Sequence, residues 1–299
     1  MAGSTGWGGT FTYGISSPYQ NIGTTMNEGV ELALRGTPVL KPRLSWDTRV
    51  DFSTNRNRLV DFADPNRVSI TISGQSYAAV QQHRRGYPLG GYWASLPKRN
   101  ADGSLVLSAT GLAVADTASY LGSSMPTRQA SWSNTVTLFR NLRLFAMLDY
   151  MGGFNNFNAK SWYMCRVQQN CLAVNDPANR DMTMPLNMAV TAPKNPDMRI
   201  WLANITGYWV QPADFIKFRD LSATYTVPPS LLRNMRMKTL SLTAAAHNLG
   251  IVWTRYGGID PEANSYNNQL TYSTMGFTRT DLYAPPMMRR VTLSANVSF

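Results

Sequence analysis

The 299-residue chain is short of most things that enzymes and helical membrane proteins need. It has no apolar run near the roughly 20 residues a spanning helix requires, and its mean hydropathy is -0.24, which excludes a helical membrane protein. Histidine occurs twice, His83 and His247, and neither lies near the two cysteines, so no zinc-type ligand spacing exists. A calcium loop at Asp102-Gly103-Ser104 would need more acidic ligands than are there. No glycine-rich phosphate motif and no nucleophile elbow is present, so neither a nucleotide cofactor nor a serine triad is expected. Residues 1–7 lack the basic and apolar regions of a signal peptide. Charged residues make up only 15% of the chain, yet the net charge is +11. That balance fits an anionic partner, nucleic acid or lipopolysaccharide, or else isolated arginines scattered over loops and a wet interior. The second is favoured, and no nucleic-acid role is expected, because the longest basic pairs are only Arg84-Arg85 and Arg289-Arg290 and no basic stripe appears. Cys165 and Cys171 are either a disulfide closing a short loop in an oxidising compartment or two free thiols, and spacing alone does not choose.

What the chain does have is alternation. Val291, Leu293, Ala295, Val297 and Phe299 fall on one side of a terminal strand, and Thr292, Ser294, Asn296 and Ser298 on the other. The same period of two runs through residues 24–37, 43–56, 131–138, 142–150, 221–227 and 239–246. Weaker strands are expected at 10–13, 77–84 and 92–96, and a tight reversal at Arg140-Asn141 makes 131–150 the clearest hairpin. Asp260 and Glu262 read as carboxylates serving a turn at Pro261. The stretches 98–128, 153–212 and 248–286 are long, polar and spotted with aromatics. Following the chain back and forth puts them all at one end of the strands. The short connections 38–42, 140–141 and 228–236 fall at the other, and so does 85–89 if residues 77–84 and 92–96 are both strands. Such asymmetry is expected of a bacterial outer-membrane barrel, apolar toward lipid and polar toward the lumen. A secreted soluble all-β carbohydrate-binding module is the alternative.

Several stretches also resemble the SusC/RagA type of TonB-linked (TonB-dependent) outer-membrane receptor. They are Asn21-Ile22-Gly23, Asn27 to Leu32, Gly86 to Gly90, Ala213 to Tyr225, Ala246-His247-Asn248-Leu249, Tyr256 to Glu262, and the last strand ending in Phe299. They keep the family's order along nearly the whole chain. The resemblance implies an antiparallel transmembrane β-barrel portion, with short periplasmic turns and long extracellular loops. About nine strands are read here, against roughly 22 in a plugged transporter of this kind. On that reading residues 1–299 are the C-terminal portion, and the plug, the segment that touches TonB and the signal peptide precede Met1. It further implies import of a large nutrient, glycan or peptide, across the outer-membrane lipid bilayer, with a SusD-like surface lipoprotein as partner and no catalysis. The loop aromatics Trp162, Tyr163, Trp201, Tyr208, Trp209, Trp253 and Tyr256 are the candidates to stack on substrate, set against interfacial belt and packing roles for several of them.

Overall fold

The computed structural model describes residues 21–72, 81–171, 175–176, 195–233, 236–263, 279–281 and 285–299. Its largest element is a seven-stranded antiparallel sheet built from β1 (Gly23–Lys41), β2 (Leu44–Phe62), β7 (Arg128–Leu138), β8 (Leu142–Gly152), β11 (Phe215–Thr226), β12 (Thr239–Thr254) and β13 (Arg290–Ser298), paired in that order. Among the described residues this sheet does not close, and β1 and β13 are its edges. A four-stranded sheet of β3 (Ser69–Thr71), β4 (Gln81–Arg84), β5 (Gly91–Ala94) and β6 (Ser119–Gly122) forms in the first long connection. β9 (Asn155–Phe157) and β10 (Val210–Pro212) make a ribbon in the second.

The alternation seen in the sequence becomes rows across the large sheet. Val39, Trp46, Val136, Leu144, Ala223, Ala244 and Leu293 are successive cross-strand partners, one from each strand, and all are apolar. The row beside it, Ser45, Thr137, Arg143, Thr224, Thr243 and Ser294, is polar throughout. Directly opposed residues share a face, so the apolar row from β1 to β13 lies on one side of the sheet and the polar row from β2 to β13 on the other. The outer face stays open: Val291 is 74% and Leu293 81% exposed. Polar groups on that face find partners. Trp46 Nε1 donates to Asn134 Oδ1 at 3.0 Å and Trp132 Nε1 to Thr48 Oγ1 at 3.0 Å.

One end of the sheet carries short links: Pro42-Arg43, residues 139–141, and residues 227–238 with the short helix of residues 229–232. The reversal at 139–141 has Phe139 and Arg140 both at positive φ, 52° and 66°, and Asn141 N donates to Leu138 O at 3.1 Å. That is a type I′ turn, whose twist matches a hairpin. Neighbouring links are tied together, since Arg140 Nε reaches Pro42 O and Asn141 Nδ2 reaches Thr226 O. The other end carries residues 63–127, 153–214 and 255–289, so the expected asymmetry holds.

Two of the expected strands sit elsewhere than the short-turn tally assumed. Residues 81–84 and 91–94 are strands of the small sheet, and the turn at 85–89 lies at the long-loop end, where Gly86 N donates to Leu59 O and Leu59 N to Tyr87 O. The strand expected at 10–13, and residues 77–80, lie outside the described residues. β11 and β12 run further than their alternation suggested, because register shifts between Phe218 and Asp220 and between Ile216 and Lys217 break the period without ending the pairing.

Candidate functional site

The long connections pack into a crown over the polar side of the sheet's upper end. Its core joins segments remote in sequence: Tyr92 from β5, Phe157 from β9, Trp162 from the first-turn helix α1 (Ala159–Trp162), Met198, Ile200 and Trp201 from α2 (Pro196–Leu202), and Trp209 ahead of β10. Asn195 caps α2, accepting from Asp197 N at 2.8 Å, with Pro196 at the first helical position. Tyr92 lies at the junction of all three connections. Its hydroxyl donates to Arg279 O and accepts from Phe157 N at 3.2 Å, while Asp281 N donates to Phe157 O at 2.9 Å. Tyr256 OH donates to Asp281 Oδ2 at 3.1 Å. Burial drives both phenols, Tyr92 and Tyr256, far above the ordinary tyrosine value, and it also raises the Asp281 carboxyl against the opposing hydrogen bond from Tyr256.

A charged clasp fastens this crown to the wall. Across the polar face, Ala33, Asp51, Ser131, Asp149 and Lys217 are consecutive partners. Lys217 is 1% exposed, and its Nζ donates to Asp260 Oδ1 at 2.7 Å and Glu262 Oε2 at 2.5 Å. Arg219 takes Glu262 in a fork, Nη1 to Oε2 at 2.8 Å and Nη2 to Oε1 at 2.6 Å, and gives Nε to Asp149 Oδ2 at 2.9 Å. Two cations from β11 therefore hold two carboxylates of the 256–263 loop and one of β8. Asn156 Nδ2 adds a bond to Ala263 O at 3.1 Å. Burial opposes ionisation of Glu262, but the bonds from Arg219 and Lys217 outweigh it and hold the carboxyl below its usual range. Below the clasp the polar face forms a recess of about 620 Å³ whose charged lining is Glu31, Arg49, Asp51 and Asp149.

Sequence reasoning favoured a turn role for Asp260 and Glu262 over a carboxylate pair on one side of a strand, and missed Lys217 and Arg219. The signal was there: two cations, Lys217 and Arg219, at the start of a strand that is otherwise free of them. The expected substrate aromatics are divided by the structure. Trp162, Trp201, Trp209 and Tyr256 are buried and form the crown's packing. Tyr163 and Tyr208 keep part of their surface open, with Tyr208 OH donating to Asp197 Oδ1 at 2.7 Å and burial together with that carboxylate pushing the phenol up to about 12. Trp253, 45% exposed, lies on β12 opposite Ile216, which is itself opposite Tyr150, in a row on the apolar outer face. Cys165 and Cys171 are joined as a disulfide beside the crown core. The terminal residues Val291, Leu293, Ala295 and Val297 share the apolar face through their partners on β12. Among the described residues no group of three or more His, Cys, Asp and Glu is placed to hold a metal ion, and no helix is long and apolar enough to cross a membrane, which does not bear on crossing by strands.

No protein-family model matches the chain. It is 25% identical over 306 residues to TonB-dependent receptor P3 of Formosa agariphila, covering 96% of this chain and 30% of that protein. TonB-dependent receptor P26 of the same organism is 24% identical over 316 residues, with the same coverages. The chain resembles the TonB-dependent receptors along nearly its whole length. The structure of the RagAB peptide transporter superposes on this receptor-like chain with a TM-score of 0.68 at 18% identity, covering 94% of it and 30% of that chain. A closed-closed state of the RagAB peptide importer gives 0.65. The fold is thus the antiparallel β-barrel wall of such a receptor, and the resemblance read from the sequence stands. The chain spans about 30% of the length of the relatives it matches.

Proposed function

We propose that this chain is the C-terminal part of the barrel of a TonB-dependent receptor that imports a large nutrient, glycan or peptide, across the outer membrane. The observation that carries the reading is the pair of neighbouring rows, one wholly apolar and one polar, running from β2 to β13. A sheet apolar on one open side and polar on the other belongs between lipid and a wet lumen. The long connections then face outward and the short links face the periplasm. The plug, the TonB-touching segment and the signal peptide belong to the remainder of the receptor, and a SusD-like lipoprotein covers the crown. Function here is binding and passage, not catalysis. Of the candidate aromatics in the crown, Tyr163 and Tyr208 are the two open enough to meet substrate. The four buried rings shape the surface beneath them.

The test is growth of a strain whose only uptake route is the full-length gene product, on defined oligosaccharides or on defined peptides as sole source, with and without TonB. TonB-dependent growth on one class assigns the substrate. Growth that ignores both the receptor and TonB rejects the import reading.

A further inference from the structure

We propose that the outer face of β1, β2 and β7, at the upper border of its apolar band, is a binding site for a phosphate-bearing lipid of the outer leaflet. The inference rests on the outer-membrane placement above. On β2 the outward positions run Leu44, Trp46, Thr48, Val50, Phe52 and Thr54. At about 3.3 Å per residue and a tilt near 45°, Leu44 to Thr54 covers about 23 Å, close to the ~25 Å lipid-facing band of such barrels. The next outward positions are therefore at headgroup level, and they are cationic. Arg128 is opposite Thr54, Arg56 is opposite Glu28, and Arg58 is opposite Met26. Strict pairing through Val30–Thr54 and Glu28–Arg56 keeps all three arginines on the apolar side. Diagonal neighbours on one sheet face lie about 7–8 Å apart, so Arg56 and Arg128 can take the same or adjacent phosphates.

The acidic groups beside these arginines among the described residues are Glu28, whose carboxylate lies 3.7 Å from Arg56 Nη1 with both side chains mostly exposed, 51% and 76%, and Asp61, opposite Thr24 and held by Arg85 at 2.7 Å. Arg58 has only a thioether, Met26 Sδ, at 3.8 Å. Arg56, Arg58 and Arg128 against the loosely held Glu28 leave a net positive rim, since Asp61 is already matched by Arg85. A recess of about 550 Å³ lies there, lined by Glu28, Val30, Thr54, Arg56 and Thr127, and the exposed Leu32, Phe52 and Trp132 lie further along the same face. An amphiphile with anionic head and acyl chains fits both halves, the phosphate on the arginines and the chains along the band. This rim also gives part of the +11 charge a task the lumen does not require.

The experiment uses the full-length receptor reconstituted in phosphatidylcholine nanodiscs doped with lipid A or with its dephosphorylated form, reading bound glycolipid per protein by native mass spectrometry. A cation beside an anionic surface is worth about fivefold in affinity. The triple variant Arg56→Glu, Arg58→Glu, Arg128→Glu is therefore expected to lose at least about tenfold of its retained lipid A. Arg99→Glu, on a hairpin of the crown, is expected to lose none, and Glu28→Gln to gain. Equal retention by wild type and triple variant overturns the site, as does equal retention of phosphorylated and dephosphorylated lipid, or displacement by millimolar inorganic phosphate alone. A receptor that never enters the bilayer overturns the membrane reading along with it, whereas insertion without phosphate preference overturns this site only.

Discussion

The wall and the crown are stabilised by different physics. In the wall each strand meets neighbours through a regular ladder, both faces stay largely open, and the side chains follow the simple rule of apolar out and polar in. In the crown no such rule runs. Large aromatics are buried, and the decisive hydrogen bonds join residues 65, 105 and 187 positions apart, as in Phe157–Tyr92, Asn156–Pro261 and Tyr92–Arg279. The wall presents one open surface with an apolar row and another with a polar row. The crown behaves as a small globular domain built from three loops. The two meet at Lys217 and Arg219, which belong to a wall strand by backbone and to the crown by side chain.

The sharpest way to break the pairing of wall and crown is to remove the clasp. Lys217→Met leaves Asp260 buried without its cation and Glu262 with Arg219 alone, and truncating one partner of a buried pair costs about 3–5 kcal/mol. The crown should then become protease-sensitive in the 153–214 and 255–289 connections, while the folded wall keeps its heat-modifiable mobility on gels. Replacing Lys217, Asp260 and Glu262 together by Met, Leu and Leu should cost less than Lys217→Met alone, because no buried carboxylate is left unpaired and Arg219 keeps Asp149. If Lys217→Met leaves protease protection unchanged, the clasp does not join the two regions.

The next largest effect sharpens the contrast between the two faces of the wall. Leu144→Arg places a cation in the middle of the apolar row and should cost about 2–4 kcal/mol in a bilayer. Thr137→Arg, on the adjacent polar row, should be nearly neutral. Urea unfolding of the receptor in lipid vesicles measures both. Equal costs would mean that the apolar face does not meet lipid.

How much was legible follows from the same contrast. Val291 to Phe299 and the hairpin 131–150 could be read directly, since period-two patterning is local and needs no knowledge of partners. The asymmetry of long and short connections followed from counting those strands. Lys217 could not be assigned, because its partners lie 43 and 45 residues away and the bulge at Phe218–Asp220 ended the visible alternation just where the clasp begins. The same holds for Trp162, Trp201 and Trp209: an aromatic in a long polar stretch looks exposed until the loops that cover it are in place. The turn at 85–89 was counted with the wrong sheet because a strand's pattern does not say which sheet it joins.

Acid should loosen the crown before the wall. Glu262 has its carboxyl lowered in the folded state, so its contribution is fully present above the ordinary glutamate range near pH 4.3 and is lost as pH falls through the lower folded value. Asp281 works in the opposite sense: its folded value is raised, so protonation relieves a cost. Protease protection of the crown should therefore fall below about pH 4 in the wild type. The fall should be steeper in Asp281→Asn, which has no cost left to relieve, and shallower in Glu262→Gln, which has already lost its charge. A wild-type crown as protected at pH 3 as at pH 7 would show that the clasp does not depend on that ionisation.

The smallest effect probes the wall where it is farthest from the crown. Phe139 and Arg140 occupy both left-handed positions of a type I′ turn, although Asn and Gly are the residues that adopt them at least cost. Each non-glycine residue held there costs roughly 1–2 kcal/mol, so Phe139→Asn with Arg140→Gly should stabilise the hairpin by about that amount, less the bond from Arg140 Nε to Pro42 O. That bond joins two neighbouring short links, which is a reason for an arginine to sit in a strained position. Phe139→Asn alone, keeping Arg140, should then gain more than Arg140→Gly alone, and urea unfolding in vesicles ranks the two. The reverse ranking would show that the turn, and not the tie between links, limits this end of the wall.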